Sequence, residues 1–203
     1  MRQETQVSDL VRLVDGRLLP IPGVWAVDPG HTSAAFAVRH MLTLMRGRFC
    51  DLAGTITIAE DPLGSSVEVT IQVVSIHTGN ARADEALLGE HFLEADRFPT
   101  ITFASTGVKL VEDGHWTVSG DLTVHGVTRP VDLDTEFLGA ATNPLGGQAK
   151  MGFEARTSIQ REDYGLHFTA EAPDSPGVFV MGSRIDLTLD VEANLMDVAA
   201  RPS

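Results

Sequence analysis

The sequence is poor in cysteine and in positive charge. Its single cysteine, Cys50, cannot form an internal disulfide, and without a second thiolate a structural zinc site is not expected. The chain has 203 residues, with 15 lysines and arginines against 28 aspartates and glutamates, a formal net charge of −13. So acidic a chain lacks the basic surface that binds phosphate backbones. We therefore expect no binding to nucleic acid and little attraction to an anionic membrane surface.

Long apolar runs are missing as well. Within residues 1–22, charges at Asp9, Arg12, Asp15 and Arg17 interrupt each apolar stretch before it reaches the length of a signal-peptide core. No later stretch approaches the roughly 18 apolar residues of a transmembrane helix. We therefore expect a soluble, cytoplasmic protein without stable membrane insertion.

Recognisable catalytic and metal-binding motifs are also absent. The chain has no G-x-S-x-G elbow, no Walker loop and no dinucleotide-binding glycine motif. Its seven histidines include no pair with the i, i+4 spacing of a zinc-binding helix. Carboxylates such as Asp132 and Asp134 share one face of a strand, as on a solvated surface. We expect no catalytic residue, no metal and no cofactor.

Alternation of apolar and polar residues dominates the rest of the chain, with the period of two that half-buried strands show. Within 64–76 the alternating apolar residues Val67, Val69, Ile71 and Val73 are odd-numbered, whereas the apolar residues of 114–125 are even-numbered. About eight such strands follow one another, several joined by glycine turns such as Asp113-Gly114 and His125-Gly126. The pattern predicts an all-β fold, a single antiparallel up-and-down β-barrel of about eight strands.

One helical segment, near residues 80–93, interrupts the strands. Asn80 can cap a helix that Gly89 ends. The apolar residues in and after this segment could close one end of the barrel as core, or line a ligand entrance; they include Leu87, Leu88, Phe92, Leu93 and Phe98.

The domain boundaries follow from these patterns. Residues 1–22 form an arm before the barrel, and we expect its prolines, Pro20 and Pro22, to prevent a helix or a strand ladder there. The barrel domain is expected over 23–194, followed by a tail over 195–203. A barrel of this size can be filled by side chains or hold one small ligand. Its mixture of large and small interior residues favours an open lumen slightly.

Several motifs then occur in order: W-A-V-D-P-G-H-T-S-A-A-F-A-V-R-H from Trp25 to His40, R-G-R-F at 46–49, R-A-D-E-A-L-L at 82–88, F-L-E-A-D-R-F-P-T-I-T-F at 92–103, G-D-L-T-V-H-G-V-T-R-P-V at 120–131 and R-E-D-Y-G at 161–165. Together they resemble the YceI-like family of polyisoprenoid-binding proteins. The resemblance covers about 23–194 and leaves the arm outside. It implies a lipocalin-like barrel whose apolar lumen takes a polyisoprenoid, a quinone tail or a fatty amide.

These observations predict a non-catalytic carrier of a long-chain isoprenoid-type lipid. We expect Gly120 to contribute to the lumen by being small, and Arg46 and Arg48 are candidates to contact an anionic head group. The residues predicted to line the lumen are Phe36, Val38, Ile56, Ile71, Val73, Phe103, Trp116, Val118, Leu122, Phe137, Phe153, Ile159 and Leu187. Those predicted near one mouth are Leu88, Phe92 and Phe98.

Two other functions are compatible with the residues. A barrel with a solid core would be a structural or partner-binding module, which could form a homodimer. An enzyme acting on a lipid in the lumen would need a proton shuttle such as His40 or His125, and the sequence shows no oriented partner for either.

Overall fold

The computed structural model of the protein describes residues 9–111, 115–168, 170 and 180–196. The predicted turn at Asp113-Gly114 lies outside the described residues, as do the first residues of the arm and most of the tail. The described residues form one α-helix, α1 (Ala81–Leu88), and thirteen strands: β1 (Val11–Val14), β2 (Arg17–Pro20), β3 (Gly23–Val27), β4 (Ser33–His40), β5 (Thr43–Phe49), β6 (Leu52–Ile58), β7 (Ser66–Gln72), β8 (Ile76–His77), β9 (Thr100–Leu110), β10 (His115–Val124), β11 (Val127–Thr142), β12 (Ala149–Gln160) and β13 (Met181–Leu195).

Eight of these strands close into an antiparallel barrel. Their order is β3-β6-β7-β9-β10-β11-β12-β13, and β13 pairs again with β3. Each barrel strand therefore neighbours the next barrel strand along the chain, which confirms the predicted up-and-down barrel. The strands β4, β5 and β8 continue the sheet beyond the end of β3, because β4 takes over the pairing with β13.

The alternation along β10 shows how the sequence positions the interior. Trp116, Val118 and Leu122 face the lumen, while the Ser119 hydroxyl points outward and donates to Asp132 at 2.6 Å. A Cβ atom at Gly120 would lie 2.3 Å from the Phe103 ring. Glycine is needed at this position because the ring of the neighbouring strand lies across it.

The helix begins and ends where the sequence predicts. The Asn80 side chain accepts hydrogen bonds from the backbone N–H groups of Arg82 and Ala83, and Gly89 follows the last turn. Leu87 is buried between the helix and the sheet. We call the end of the barrel at which α1 packs the helix end. The described residues contain no helix with the length and apolar character needed to cross a bilayer.

The arm contains a β-hairpin, so the prediction that its prolines prevent a strand ladder is wrong for residues 11–20. Strands β1 and β2 pair in antiparallel fashion around Asp15 and Gly16, whose φ angles of 48° and 79° suit a tight hairpin turn. Pro20 is tolerated because it ends its strand, where a missing N–H group breaks little of the ladder.

This hairpin covers the end of the barrel opposite the helix, which we call the hairpin end. Leu19 is buried, and β2 packs against β11. Leu13 and Leu18, which pair across the two strands, are exposed on the outer side. The hairpin therefore has one face toward the barrel and one toward solvent.

Candidate ligand-binding cavity

The barrel encloses an apolar cavity of about 300 Å³ that reaches from the hairpin end to the helix end. Its wall consists almost entirely of aliphatic and aromatic side chains. The polar residues on the wall are Arg12, Thr32, Ser33, Ser65, Ser66, Thr135, Thr157 and Arg161. The lumen is therefore not filled by side chains, and the volume of the cavity is in the range of small-molecule pockets.

Most of the predicted lumen residues lie on the cavity wall, because their strands keep the period of two on which the prediction depends. They are Phe36, Val38, Ile56, Ile71, Phe92, Phe103, Trp116, Val118, Leu122, Phe137, Phe153, Ile159 and Leu187. Their contact with a ligand stays a prediction.

Val73, Leu88 and Phe98 do not lie on the cavity wall, so the prediction that Val73 lines the lumen is wrong. Ligand contact by Leu88 and Phe98 near one mouth stays a prediction. Strand β7 ends before Val73, which is buried in a short 3-10 turn where the alternation no longer applies. Leu88 packs against the buried clusters at the helix end. The ring of Phe98 lies 4.3 Å from the imidazole of His125, under the turn between β10 and β11. Val73 and Leu88 therefore belong to the packed core at the helix end.

Arg46 and Arg48 also lie outside the cavity. On β5 they are exposed, while Met45 and Phe49, one residue away, lie on the wall. Successive residues of a strand point to opposite faces, so neither arginine can contact a head group held inside the lumen. Their contact with a head group that lies outside the lumen stays a prediction.

Sequence reasoning missed the wall residues that come from outside the alternating strands. Arg12, Leu19 and Pro20 reach the wall from the N-terminal hairpin. A signal for this hairpin was present, because Asp15-Gly16 stands between two apolar runs. At the other end, Arg161 and Leu166 reach the wall from a 3-10 turn and the residues after it.

Arg161, on the wall at the helix end, is one of two charged wall residues, and all three of its nitrogen atoms have acceptors. Its side chain is 3% exposed. The guanidinium donates to the carbonyl oxygens of Gly182, Met181 and Leu166, and it pairs with the Glu162 carboxylate at 3.0 Å. It therefore fixes the turn and the start of β13 to each other.

Arg12, on the wall at the hairpin end, has fewer partners. Its Nη2 donates to the Ala59 carbonyl oxygen at 2.6 Å, and its Nη1 donates to Glu60 Oε2 at 3.1 Å. Glu60 is largely exposed, at 88% of its side chain. The Nε atom of Arg12 is buried and has no hydrogen-bond partner among the described residues.

The group of metal-ligand type in the described residues is Asp28, His31 and Glu192, whose ligand atoms lie within 4.8 Å of one another. The Lys150 ammonium donates to Asp28 at 2.7 Å and to Glu192. These bonds hold the pKa of Asp28 well below its usual range and raise the pKa of Lys150. Because the three partners follow β3 or belong to β12 and β13, the ion pairs tie together the strands at which the barrel closes.

His125 has an oriented partner that the sequence does not indicate. Its Nε2 atom lies 2.9 Å from Glu94 Oε1, and its side chain is 13% exposed. Neither residue lies on the cavity wall. The pair therefore joins the β10–β11 turn to the segment after α1, and it is not directed at a lumen ligand.

A closed barrel of eight antiparallel strands around an apolar cavity defines a class of proteins that can hold one small ligand. Within this class, the family model of the YceI-like domain matches residues 25–193. The chain belongs to the YceI-like family, which confirms the resemblance carried by its motifs. The match begins after the N-terminal hairpin.

Known proteins agree with this assignment. The chain is 36% identical over 160 residues to a UPF0312 protein of Pseudomonas fluorescens, with 75% of this chain and 80% of that protein covered. The YCEI protein of Campylobacter jejuni has a TM-score of 0.65 at 26% identity, with 78% of this chain and 90% of that one covered. A polyisoprenoid binding domain from Saccharophagus degradans, implicated in plant cell wall breakdown, has a TM-score of 0.62 at 16% identity, with 87% and 100% covered, and shares the fold.

Proposed function

We propose that this protein binds a long-chain isoprenoid-type lipid in its cavity and carries it without changing it chemically. The observation behind the proposal is the almost wholly apolar wall that extends between the two ends of the barrel. A polyprenyl chain, a quinone tail or a fatty amide would fit such a wall. The polyisoprenoid binding domain of Saccharophagus degradans, which has the same fold, supports this class of ligand.

The affinity of such a site comes from burial of the apolar chain. Each buried methylene contributes about 0.8 kcal/mol, which is roughly a fourfold change in affinity. Affinity is therefore expected to rise with chain length until the cavity is full. A ligand with a short apolar part would bind weakly whatever its head group.

The proposed function is that of a carrier and not of an enzyme, and it needs no cofactor. His40 and His125, the two histidines considered as proton shuttles, both lie off the cavity wall. A cytoplasmic location and a homodimer remain predictions from the sequence.

Mass spectrometry of protein purified from its native host tests the proposal. The protein is analysed under native conditions and again after extraction with organic solvent. We expect a stoichiometric long-chain lipid that the extraction releases. A clean mass for the protein alone, which persists after incubation with several isoprenoid lipids, would favour a structural or partner-binding module instead.

A variant that fills the cavity makes the test specific. Ala155 is buried on the wall, so Ala155→Phe should occupy lumen volume and reduce the bound lipid. Ala53 on β6 is exposed, and Ala53→Phe is the matched control. Circular dichroism establishes that both variants fold. Equal lipid content in the two folded variants would place the lipid outside the lumen.

A further inference from the structure

The two charged residues on the cavity wall differ in the donors they have left. Arg161 at the helix end uses its Nε, Nη1 and Nη2 atoms on carbonyl oxygens. Arg12 at the hairpin end uses both Nη atoms, but its buried Nε atom has no partner among the described residues. Among the described wall residues, Arg12 Nε at the hairpin end is therefore the buried donor atom that has no acceptor at all.

A buried N–H group without an acceptor is unfavourable, because it has lost its bond to water and gained none in return. An oxygen atom at the end of a lumen ligand would satisfy it. Few other polar atoms are available there. Ser65, Ser66 and Thr135 lie toward the same end of the wall. The Ser65 hydroxyl oxygen already accepts from the Ala59 backbone N–H, and the Thr135 hydroxyl already donates to the Leu133 carbonyl oxygen.

The charge at this end selects among head groups. The Glu60 carboxylate already pairs with the Arg12 guanidinium, and among the described wall residues Arg12 is the sole cation at the hairpin end. A diphosphate carries several negative charges and would need more than one positive charge to balance them. A guanidinium whose positive charge is already balanced by a carboxylate suits an uncharged acceptor.

We propose that Arg12 Nε binds the polar head of the lipid, and that this head is an uncharged oxygen acceptor such as a hydroxyl, a ketone or an amide carbonyl. The lipid then lies with its head at the hairpin end and its tail toward Leu87, Phe92 and Leu93 at the helix end. This assignment rests on the proposed function. It gives the N-terminal hairpin, which lies outside the matched family segment, a part in ligand selection.

Ligands that share one chain and differ in their heads test the proposal. The probes are geranylgeraniol, the hydrocarbon with the same isoprenoid chain, and geranylgeranyl diphosphate, each measured by displacement of a fluorescent lipid. The wild-type protein should bind the alcohol about tenfold more tightly than the hydrocarbon, since one hydrogen bond to a charged donor is gained. It should also prefer the alcohol to the diphosphate.

The Arg12→Met variant should bind the alcohol and the hydrocarbon equally, because it keeps an apolar stem and loses the donor. Arg17→Met, on the same hairpin but off the wall, is the control and should keep the preference. An unchanged preference in Arg12→Met would overturn the assignment, as would equal binding of alcohol and hydrocarbon by the wild-type protein. Failure of every probe to bind would instead count against the proposed function.

A second variant tests the argument from charge. Glu60→Gln leaves the Arg12 guanidinium without its carboxylate, so the affinity for the diphosphate relative to the alcohol should rise about tenfold. Glu90, near the helix end, is similarly exposed at 84% of its side chain, and Glu90→Gln is the matched control. An equal ratio in both variants would show that Glu60 does not set the head-group preference.

Discussion

The two ends of the barrel are closed by covers of different construction. At the helix end, Arg161 and Tyr164 are buried, and the arginine ties its turn to several backbone carbonyls. At the hairpin end, β1 and β2 form a unit with its own hydrogen bonds, and Arg12 links it to the chain after β6 through one carbonyl and one exposed carboxylate.

This difference indicates which end can open. Moving the helix-end turn would leave a buried charge and several carbonyl groups without partners, which is strongly unfavourable. Moving the hairpin would keep its internal pairing, and it would break the two Arg12 hydrogen bonds and expose Leu19. Segments with few buried contacts open locally at low free energy. We therefore expect lipid to enter and leave at the hairpin end.

The largest effect is expected from Arg161→Met at the helix end. Loss of this buried charged donor leaves the carbonyl oxygens of Leu166 and Gly182 without a partner, so the free energy of unfolding should fall by about 3–4 kcal/mol. Urea denaturation measures the change. Arg156 on β12 is exposed at 66% of its side chain, and Arg156→Met should change stability by less than about 0.5 kcal/mol. If the two variants lost similar amounts of unfolding free energy, Arg161 would not fix the cover at the helix end more firmly than an exposed arginine does.

Lys150→Met should destabilise the barrel where β3, β12 and β13 meet. We expect a loss of about 2 kcal/mol, because Asp28 and Glu192 lose a partly buried ammonium donor. The pKa of Asp28 in the folded protein lies below its ordinary 3.8, so its contribution is present above about pH 4 and is lost as pH falls below that value.

Urea denaturation as a function of pH measures this contribution. Between roughly pH 5 and pH 2, the free energy of unfolding of the wild-type protein should fall more steeply than that of Lys150→Met. The reason is that protonation of Asp28 favours the unfolded state, in which its pKa is not lowered. Parallel curves would mean that the Lys150 ion pairs do not shift the pKa of Asp28.

A smaller effect, on the affinity for lipid, is expected from a change in the lumen near the hairpin end. Trp116→Ala removes a large apolar surface from the wall and should weaken lipid binding about tenfold. The Ser119 side chain points outward on the same strand, and Ser119→Ala should leave the affinity unchanged. Displacement of a fluorescent lipid measures both. If the two variants bound lipid alike, the facing assigned to β10 would be incorrect.

The barrel could be predicted from sequence because its strands are regular. A period of two decides which side chains face inward, as at Trp116 and Ser119, and each cap or turn signal is local, as at Asn80 and His125-Gly126. The covers could not be predicted in the same way. Arg12 and Arg161 reach the wall through contacts between distant segments, and no periodic pattern encodes them.

The smallest change in stability, and the sharpest test of the comparison, is expected from Arg12→Met in the lipid-free protein. The hairpin keeps its internal pairing, so the global free energy of unfolding should fall by less than about 1 kcal/mol. Because the link to Ala59 is lost, hydrogen exchange in β1 and β2 should accelerate several-fold, while exchange in β10 should not change.

Arg17→Met is the control on the same hairpin, and its exchange rates should match those of the wild-type protein. The rate of lipid release should rise together with the rate of hydrogen exchange in β1 and β2. Arg12→Met should therefore release lipid faster than Arg17→Met does. Faster hairpin exchange with no change in the release of the hydrocarbon ligand, which makes no head-group bond to Arg12, would place the exit elsewhere. If hydrogen exchange in the hairpin and release of the hydrocarbon were both faster in Arg12→Met, the hairpin end would be the end that opens. The same local motion would then control amide exchange and ligand release.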